Sequence, residues 1–114
     1  MNAVLFGRRI ETLAPAEAWN AHRHKSLVLV DVRQRSEWYS GVVIGALRIP
    51  LQELHRRISE LPREGAVAFV CGSGHRSLLA AHEAQLGGID AASVQGGMLA
   101  WRNAGLPTST PARG

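Results

Sequence analysis

The 114-residue sequence contains a single cysteine, Cys71, which excludes an internal disulfide and a zinc site built from several thiolates. No apolar run approaches the ~18 residues that a membrane-spanning helix needs. The short apolar run near the N-terminus precedes its basic residues, which is the reverse of the order in a secretory signal peptide. These absences predict a cytoplasmic protein without a membrane partner.

Acidic residues are fewer than basic ones, 9 against 13, and the formal net charge is +4. The basic residues are scattered, and aromatic residues, at 5%, are too few to alternate with them in a stacking surface. A nucleic-acid partner is therefore not expected. A small anionic substrate suits the same balance of charge.

Apolar runs and helical patterns alternate along the chain. Strands are predicted at 26–33, 46–50, 66–70 and 91–94. Helices are predicted at 14–25, 51–61, 76–88 and 98–105, with helical turns at 36–41. The alternation predicts an α/β fold: a mainly parallel sheet of about five short strands, flanked by helices on both faces. Ligand sites in such sheets lie at the carboxyl ends of the strands.

The segment CGSGHRS, residues 71–77, follows a predicted buried strand and precedes a predicted helix. Gly72 and Gly74 permit positive φ, which allows backbone N–H groups to converge on one concavity. The helix start near Arg76 adds a positive end, and Arg76 adds a permanent charge. Such a cradle favours anions and favours the thiolate form of Cys71 over the thiol.

The same residues allow a second interpretation. The two glycines could make only a tight turn, and Ser73 or Ser77 could only cap the helix. Cys71 would then be the last core residue of its strand, because free cysteine behaves as a small hydrophobe. Two glycines, an arginine and a helix start within six residues favour the reactive interpretation.

Three motifs in a fixed order resemble a single-domain rhodanese-like sulfurtransferase over about residues 10–107. They are DVRQRSEWYSGVVIGALRIP at 31–50, CGSGHRS at 71–77 and VQGGMLAWRNAGLP at 94–107. The resemblance implies one rhodanese-like domain over 1–114, and the polar end of the chain, 108–114, is expected to form a loose tail. One departure concerns Val42, which stands where the family usually has a histidine.

The resemblance also implies a reaction. Cys71 would take the outer sulfur of an anionic donor such as thiosulfate, hold it as a persulfide, and pass it to an acceptor. The acceptor would be cyanide or a thiol, either small or on a partner protein. The backbone N–H groups of Gly72 through Ser77 would stabilise the terminal sulfur, and Arg76 with His75 would attract the donor. No cofactor beyond the persulfide, and no metal, is implied.

Asp31 and Arg33 are expected to support the site from the end of the preceding buried strand. We expect Asp31 to bond loop backbone or to pair with a cation, and Arg33 to pair with Glu37. His22 and His24 are two residues apart on a helix and do not face each other, so they predict no metal site.

Two other functions compete with sulfur transfer. A cysteine-based phosphatase or arsenate reductase needs a longer loop than the four residues between Cys71 and Arg76, and this loop has no acidic residue to protonate a leaving group. A non-catalytic rhodanese-like binding module is the other alternative. Inactive members of the family typically lose the cysteine, and its retention beside Arg76 favours an enzyme.

Overall fold

The structure is a computed structural model that describes residues 1–112. Its strands are β1 (Asn2–Leu5), β2 (Arg8–Leu13), β3 (Leu27–Asp31), β4 (Leu47–Arg48), β5 (Ala66–Val70) and β6 (Asp90–Val94). Its α-helices are α1 (Pro15–Arg23), α2 (Leu51–Arg57), α3 (Arg76–Leu86) and α4 (Gly97–Asn103). Two 3₁₀ helices are also present, the first at Arg35–Ser40 and the second at Ile58–Glu60.

The six strands form one sheet in the order β1-β2-β6-β5-β3-β4. Only β1 is antiparallel to its neighbour, and the other four pairings are parallel. The predicted α/β fold with a mainly parallel sheet is therefore confirmed. The sheet has six strands rather than about five, because an N-terminal hairpin adds to the strands predicted from sequence.

That hairpin joins β1 to β2 through the two-residue turn Phe6–Gly7, with Leu5 paired to Arg8. Both turn residues have positive φ, 51° and 76°, as a type I′ turn requires. A phenylalanine rarely adopts this conformation, and the sequence therefore lacks the Asn-Gly or Asp-Gly signal that normally marks such a turn.

The sheet separates two cores, because successive side chains of a strand point to opposite faces. In β5, Val67 and Phe69 pack in the cluster that includes α2 and α3. Ala68 and Val70 pack in the other cluster, with α1, α4 and the fully buried Trp101. Helices thus cover both faces of the strand that leads to Cys71.

The C-terminal segment is attached to the domain at Ser109. Its N–H and C=O groups bond the main chain of Val42 at 2.9 and 2.8 Å, forming an isolated antiparallel bridge. The expected loose tail over 108–114 is therefore wrong at Ser109, and residues 113–114 lie outside the described part. Within residues 1–112, no helix is long and apolar enough to cross a bilayer.

Candidate active site

Cys71 lies directly after β5, at the carboxyl edge of the sheet, where the sequence predicted a ligand site. Only 1% of the surface of Cys71 is exposed to solvent. The sulfur accepts hydrogen bonds from the backbone N–H groups of Gly74, at 3.2 Å, and Ser77, at 3.3 Å. The thiol lies 3.4 Å from the Ser77 hydroxyl, which is 2.7 Å from the hydroxyl of Ser93 on β6. Polar hydrogens thus surround a nearly buried sulfur atom.

The loop conformation depends on its glycines in two different ways. Gly74 has a φ of +107°, and a Cβ there would lie 3.1 Å from the backbone nitrogen of Gly96. Gly72 does not use the positive φ that glycine permits. Its small size matters instead, because a Cβ would lie 3.0 Å from a guanidinium nitrogen of Arg76.

Four backbone N–H groups of the loop, those of Gly72, Ser73, His75 and Arg76, donate to no acceptor within residues 1–112. Arg76 is also the first residue of α3, an 11-residue helix whose N-terminal end carries partial positive charge. The loop therefore retains donors for an added anionic atom. This geometry agrees with the cradle expected from sequence.

The start of α4 holds the loop from the other side of the sheet. The N–H of Met98 donates to the carbonyl of Cys71 at 2.7 Å, and the N–H of Leu99 donates to the carbonyl of Gly72 at 3.1 Å. Gly97 has a φ of +60°, and a Cβ there would lie within 2.6 Å of the Gly72 oxygen and closer still to the Cys71 oxygen. The sequence analysis quoted the Gly-Gly pair of this segment but assigned it no part in the site.

Arg76 does not project freely into the site. Its guanidinium donates to both carboxylate oxygens of Glu37, at 2.6 and 2.9 Å. These hydrogen bonds lower the pKa of Glu37 below its ordinary value of 4.5 and raise the pKa of Arg76. The pair holds the arginine in place and neutralises it, so the positive charge offered to a donor is smaller than predicted from sequence.

Asp31 and Arg33 form a buried ion pair with an Nη2–Oδ2 distance of 2.8 Å. The prediction that Asp31 pairs with a cation is confirmed. The prediction that Arg33 pairs with the Glu37 carboxylate is wrong: Arg33 donates to the carbonyl oxygens of Glu37 and Gly41, at 3.2 and 2.7 Å. Arg33 thereby fixes the first 3₁₀ helix, which places the Glu37 carboxylate against Arg76.

His75 and Ser73 lie at the exposed rim of the loop, where the Ser73 hydroxyl is 3.3 Å from Nδ1 of His75. Val42, at the family histidine position, is buried and bonded through its main chain to Ser109. Its apolar side chain offers no hydrogen bond to the site. Within residues 1–112, no group of three or more His, Cys, Asp or Glu residues could hold a metal ion.

Known proteins resemble this chain over most of its length. A family model described as Rhodanese-like domain matches residues 14–104. A sulfurtransferase of Allochromatium vinosum is 35% identical over 88 residues, which cover 76% of this chain and 82% of that protein. An HTH-type transcriptional regulator of Mycobacterium tuberculosis is 31% identical over 92% of this chain but over only 47% of its own length.

Among solved structures, a rhodanese-related protein from Thermoplasma volcanium matches with a TM-score of 0.81 and 26% identity. The match covers 87% of this chain and 97% of that chain. The resemblance inferred from three motifs thus extends to the arrangement of the backbone.

Proposed function

Because this chain belongs to the family of rhodanese-like domains, we propose that it is a sulfurtransferase that carries sulfane sulfur on Cys71. The observation that carries the proposal is the convergence of the Gly74 and Ser77 N–H groups on the cysteine sulfur. Hydrogen bonds to an ionised acceptor are the stronger kind, so these donors suit the negative charge that the sulfur carries in the proposed reaction. The sulfurtransferase name of the Allochromatium vinosum relative supports the same reaction class.

In the first half-reaction, the Cys71 thiolate attacks the outer sulfur of thiosulfate. A new S–S bond forms on the cysteine, the S–S bond of thiosulfate breaks, and sulfite leaves with the electron pair. The product is a persulfide anion on Cys71. The unpaired N–H groups of Ser73, His75 and Arg76 are suited to donate to its terminal sulfur.

In the second half-reaction, an acceptor nucleophile attacks the terminal sulfur. The bond between the terminal sulfur and Cys71 breaks, and the Cys71 thiolate is regenerated with the electron pair. Cyanide is converted to thiocyanate, or a thiolate is converted to a persulfide. The two steps share one covalent intermediate, which predicts ping-pong kinetics. Neither step requires an external oxidant or reductant.

The Glu37–Arg76 pair is expected to set the affinity for the anionic donor. The Glu37→Gln variant removes the carboxylate charge that neutralises Arg76. We expect the KM for thiosulfate to fall by about threefold at low ionic strength, and the difference to shrink in salt, because exposed charges are screened. Steady-state kinetics at two salt concentrations measure this.

The matched control for that variant is Glu53→Gln, which makes the same change of charge at a carboxylate paired with Arg35 and Arg57 instead of the loop arginine. The KM should respond to Glu37→Gln and not to Glu53→Gln. An equal response would mean that Glu37 acts only through the net charge of the protein.

Intact mass spectrometry of the reduced protein tests the proposed function. After incubation with thiosulfate, the protein should gain the mass of one sulfur atom, and cyanide should remove that mass with release of thiocyanate. The absence of any gain with thiosulfate, with a thiosulfonate and with a persulfide donor would overturn the proposal. The family assignment would remain, and the non-catalytic binding function would replace sulfur transfer.

A further inference from the structure

A polar cavity separate from the cysteine loop lies at the β4 edge of the sheet, and we call it the arginine pocket. It has a volume of about 590 Å³. This volume lies within the range of small-molecule sites, roughly 300–1,000 Å³. The residues that line it are Arg35, Trp38, Tyr39, Arg48, Arg57, Pro111 and Ala112. Basic and aromatic side chains predominate among them.

The charges around this cavity are not balanced. Arg57 bonds the carboxylates of Glu53, at 3.0 Å, and Glu60, at 2.8 Å. Arg35 and Arg56 bond Glu53 as well. Hydrogen bonds from Arg35 lower the pKa of Glu53 to about 2, so this carboxylate is ionised at neutral pH. Arg48 forms no ion pair within residues 1–112. The three guanidinium groups that line the pocket, together with Arg56 beside them, therefore face two carboxylates, and the pocket retains positive charge.

Trp38 brings two of these like charges together. The guanidinium carbons of Arg35 and Arg48 lie 5.8 and 5.3 Å from the centre of its ring system. The indole Nε1 is buried and has no hydrogen-bond acceptor within residues 1–112. Convergent cations favour an anionic ligand, and guanidinium groups match the geometry of carboxylates.

The pairing of strands places this pocket beside the cysteine loop. Asp31 of β3 is paired with Arg48 of β4 on one side and with Val70 of β5 on the other. Adjacent strands are ~4.8 Å apart, so the backbones of Arg48 and Val70 are roughly 10 Å apart. Cys71 follows Val70, and Glu37, which precedes Trp38, contacts the loop through Arg76.

We propose that the arginine pocket binds the carboxylate end of a small peptide-like thiol that accepts sulfur from Cys71. The inference rests on the proposed function and names the class of acceptor. An extended chain advances ~3.3–3.6 Å per residue, so about three residues span roughly 10 Å. A thiol of that length can place its carboxylate in the pocket while its sulfur reaches the persulfide. Cyanide is too short to reach both sites.

The kinetic test compares glutathione, a tripeptide thiol with two carboxylates, with the uncharged 2-mercaptoethanol as acceptors from the thiosulfate-loaded protein. The selectivity is the ratio of their kcat/KM values. Arg48→Gln should lower this ratio about tenfold, since it removes a charge-assisted contact to one acceptor only. Arg63→Gln removes the same charge outside the pocket, at a side chain that bonds the carbonyl of Gly87 and no carboxylate within residues 1–112, and should change the ratio by less than about twofold.

An equal fall in Arg48→Gln and Arg63→Gln, or no fall in either, would overturn the acceptor site. A fall in the ratio for Arg48→Gln alone supports it. The thiosulfate–cyanide assay of the wild-type protein is run beside these measurements. Failure of that assay, together with the absence of a mass gain from a thiosulfonate and from a persulfide donor, contradicts the proposed function itself and, with it, the acceptor role of the pocket.

A binding experiment separates those two failures, because it needs no turnover. The indole N–H resonance of Trp38, assigned with Trp38→Phe, should shift saturably as glutathione is added to the reduced protein. The shift should be lost in Arg48→Gln and retained in Arg63→Gln. A missing shift, or an equally large shift with sodium sulfate, would overturn the assignment of the pocket to a carboxylate-bearing thiol.

Discussion

Replacing Cys71 with serine is expected to lower thiosulfate–cyanide sulfur transfer by at least about a thousandfold. A serine hydroxyl is not ionised at neutral pH and forms no persulfide, so both half-reactions lose their covalent intermediate. The side chain is almost completely buried, and serine fills nearly the same space. The rate of thiocyanate formation measures the loss.

The folded state of this variant must be shown in parallel. Circular dichroism and the thermal midpoint of Cys71→Ser should be close to those of the wild type, and its intact mass should stay unchanged after thiosulfate treatment. A residual rate above about a tenth of the wild-type rate, in a folded variant, would contradict nucleophilic catalysis by Cys71.

Gly97→Ala is expected to have the largest effect on stability. Its Cβ would overlap the carbonyl oxygens of Cys71 and Gly72, and the backbone φ of +60° adds conformational strain. Overpacking costs typically 1–3 kcal/mol, and the left-handed conformation costs roughly 1–2 kcal/mol. We expect the free energy of unfolding to fall by about 3 kcal/mol, as measured by urea denaturation.

Gly105→Ala is the matched control for this change. Gly105 also has a positive φ, +71°, but a Cβ there would meet no atom within 4 Å. Its cost should therefore be limited to conformational strain, about 1–2 kcal/mol. If the two variants lose equal stability, the contact of α4 with the cysteine loop does not constrain position 97.

The parallel part of the fold could be predicted because its signals are local. The apolar runs of β3 and β5 are continuous, and β5 is followed by α3, whose buried residues share one face. The hairpin of β1 and β2 could not be predicted in the same way. Its turn is built on Phe6, whose positive φ is supported by the surrounding structure and not by residue preference.

The candidate site also has parts that local sequence predicts and parts that depend on the tertiary fold. The arrangement of Cys71, Gly74 and Ser77 follows from one short segment, and the sequence predicted it. Glu37 lies 39 residues before Arg76, and their pairing depends on the order of the strands in the sheet. The misassigned partner of Arg33 has a different cause, because spacing alone does not show whether Arg33 bonds the main-chain carbonyl or the carboxylate of Glu37.

The contact between the α4 terminus and the cysteine loop has a consequence for how the domain opens. The loop leads into α3 on one face of the sheet, and its carbonyl groups accept hydrogen bonds from α4 on the other face. Opening the loop therefore requires breaking its hydrogen bonds to α4, which packs in one core, and moving the start of α3, which packs in the other. Local unfolding occurs in cooperative units. We therefore expect the loop that carries Cys71 to open only together with parts of both cores, which would make it one of the last segments of the domain to unfold.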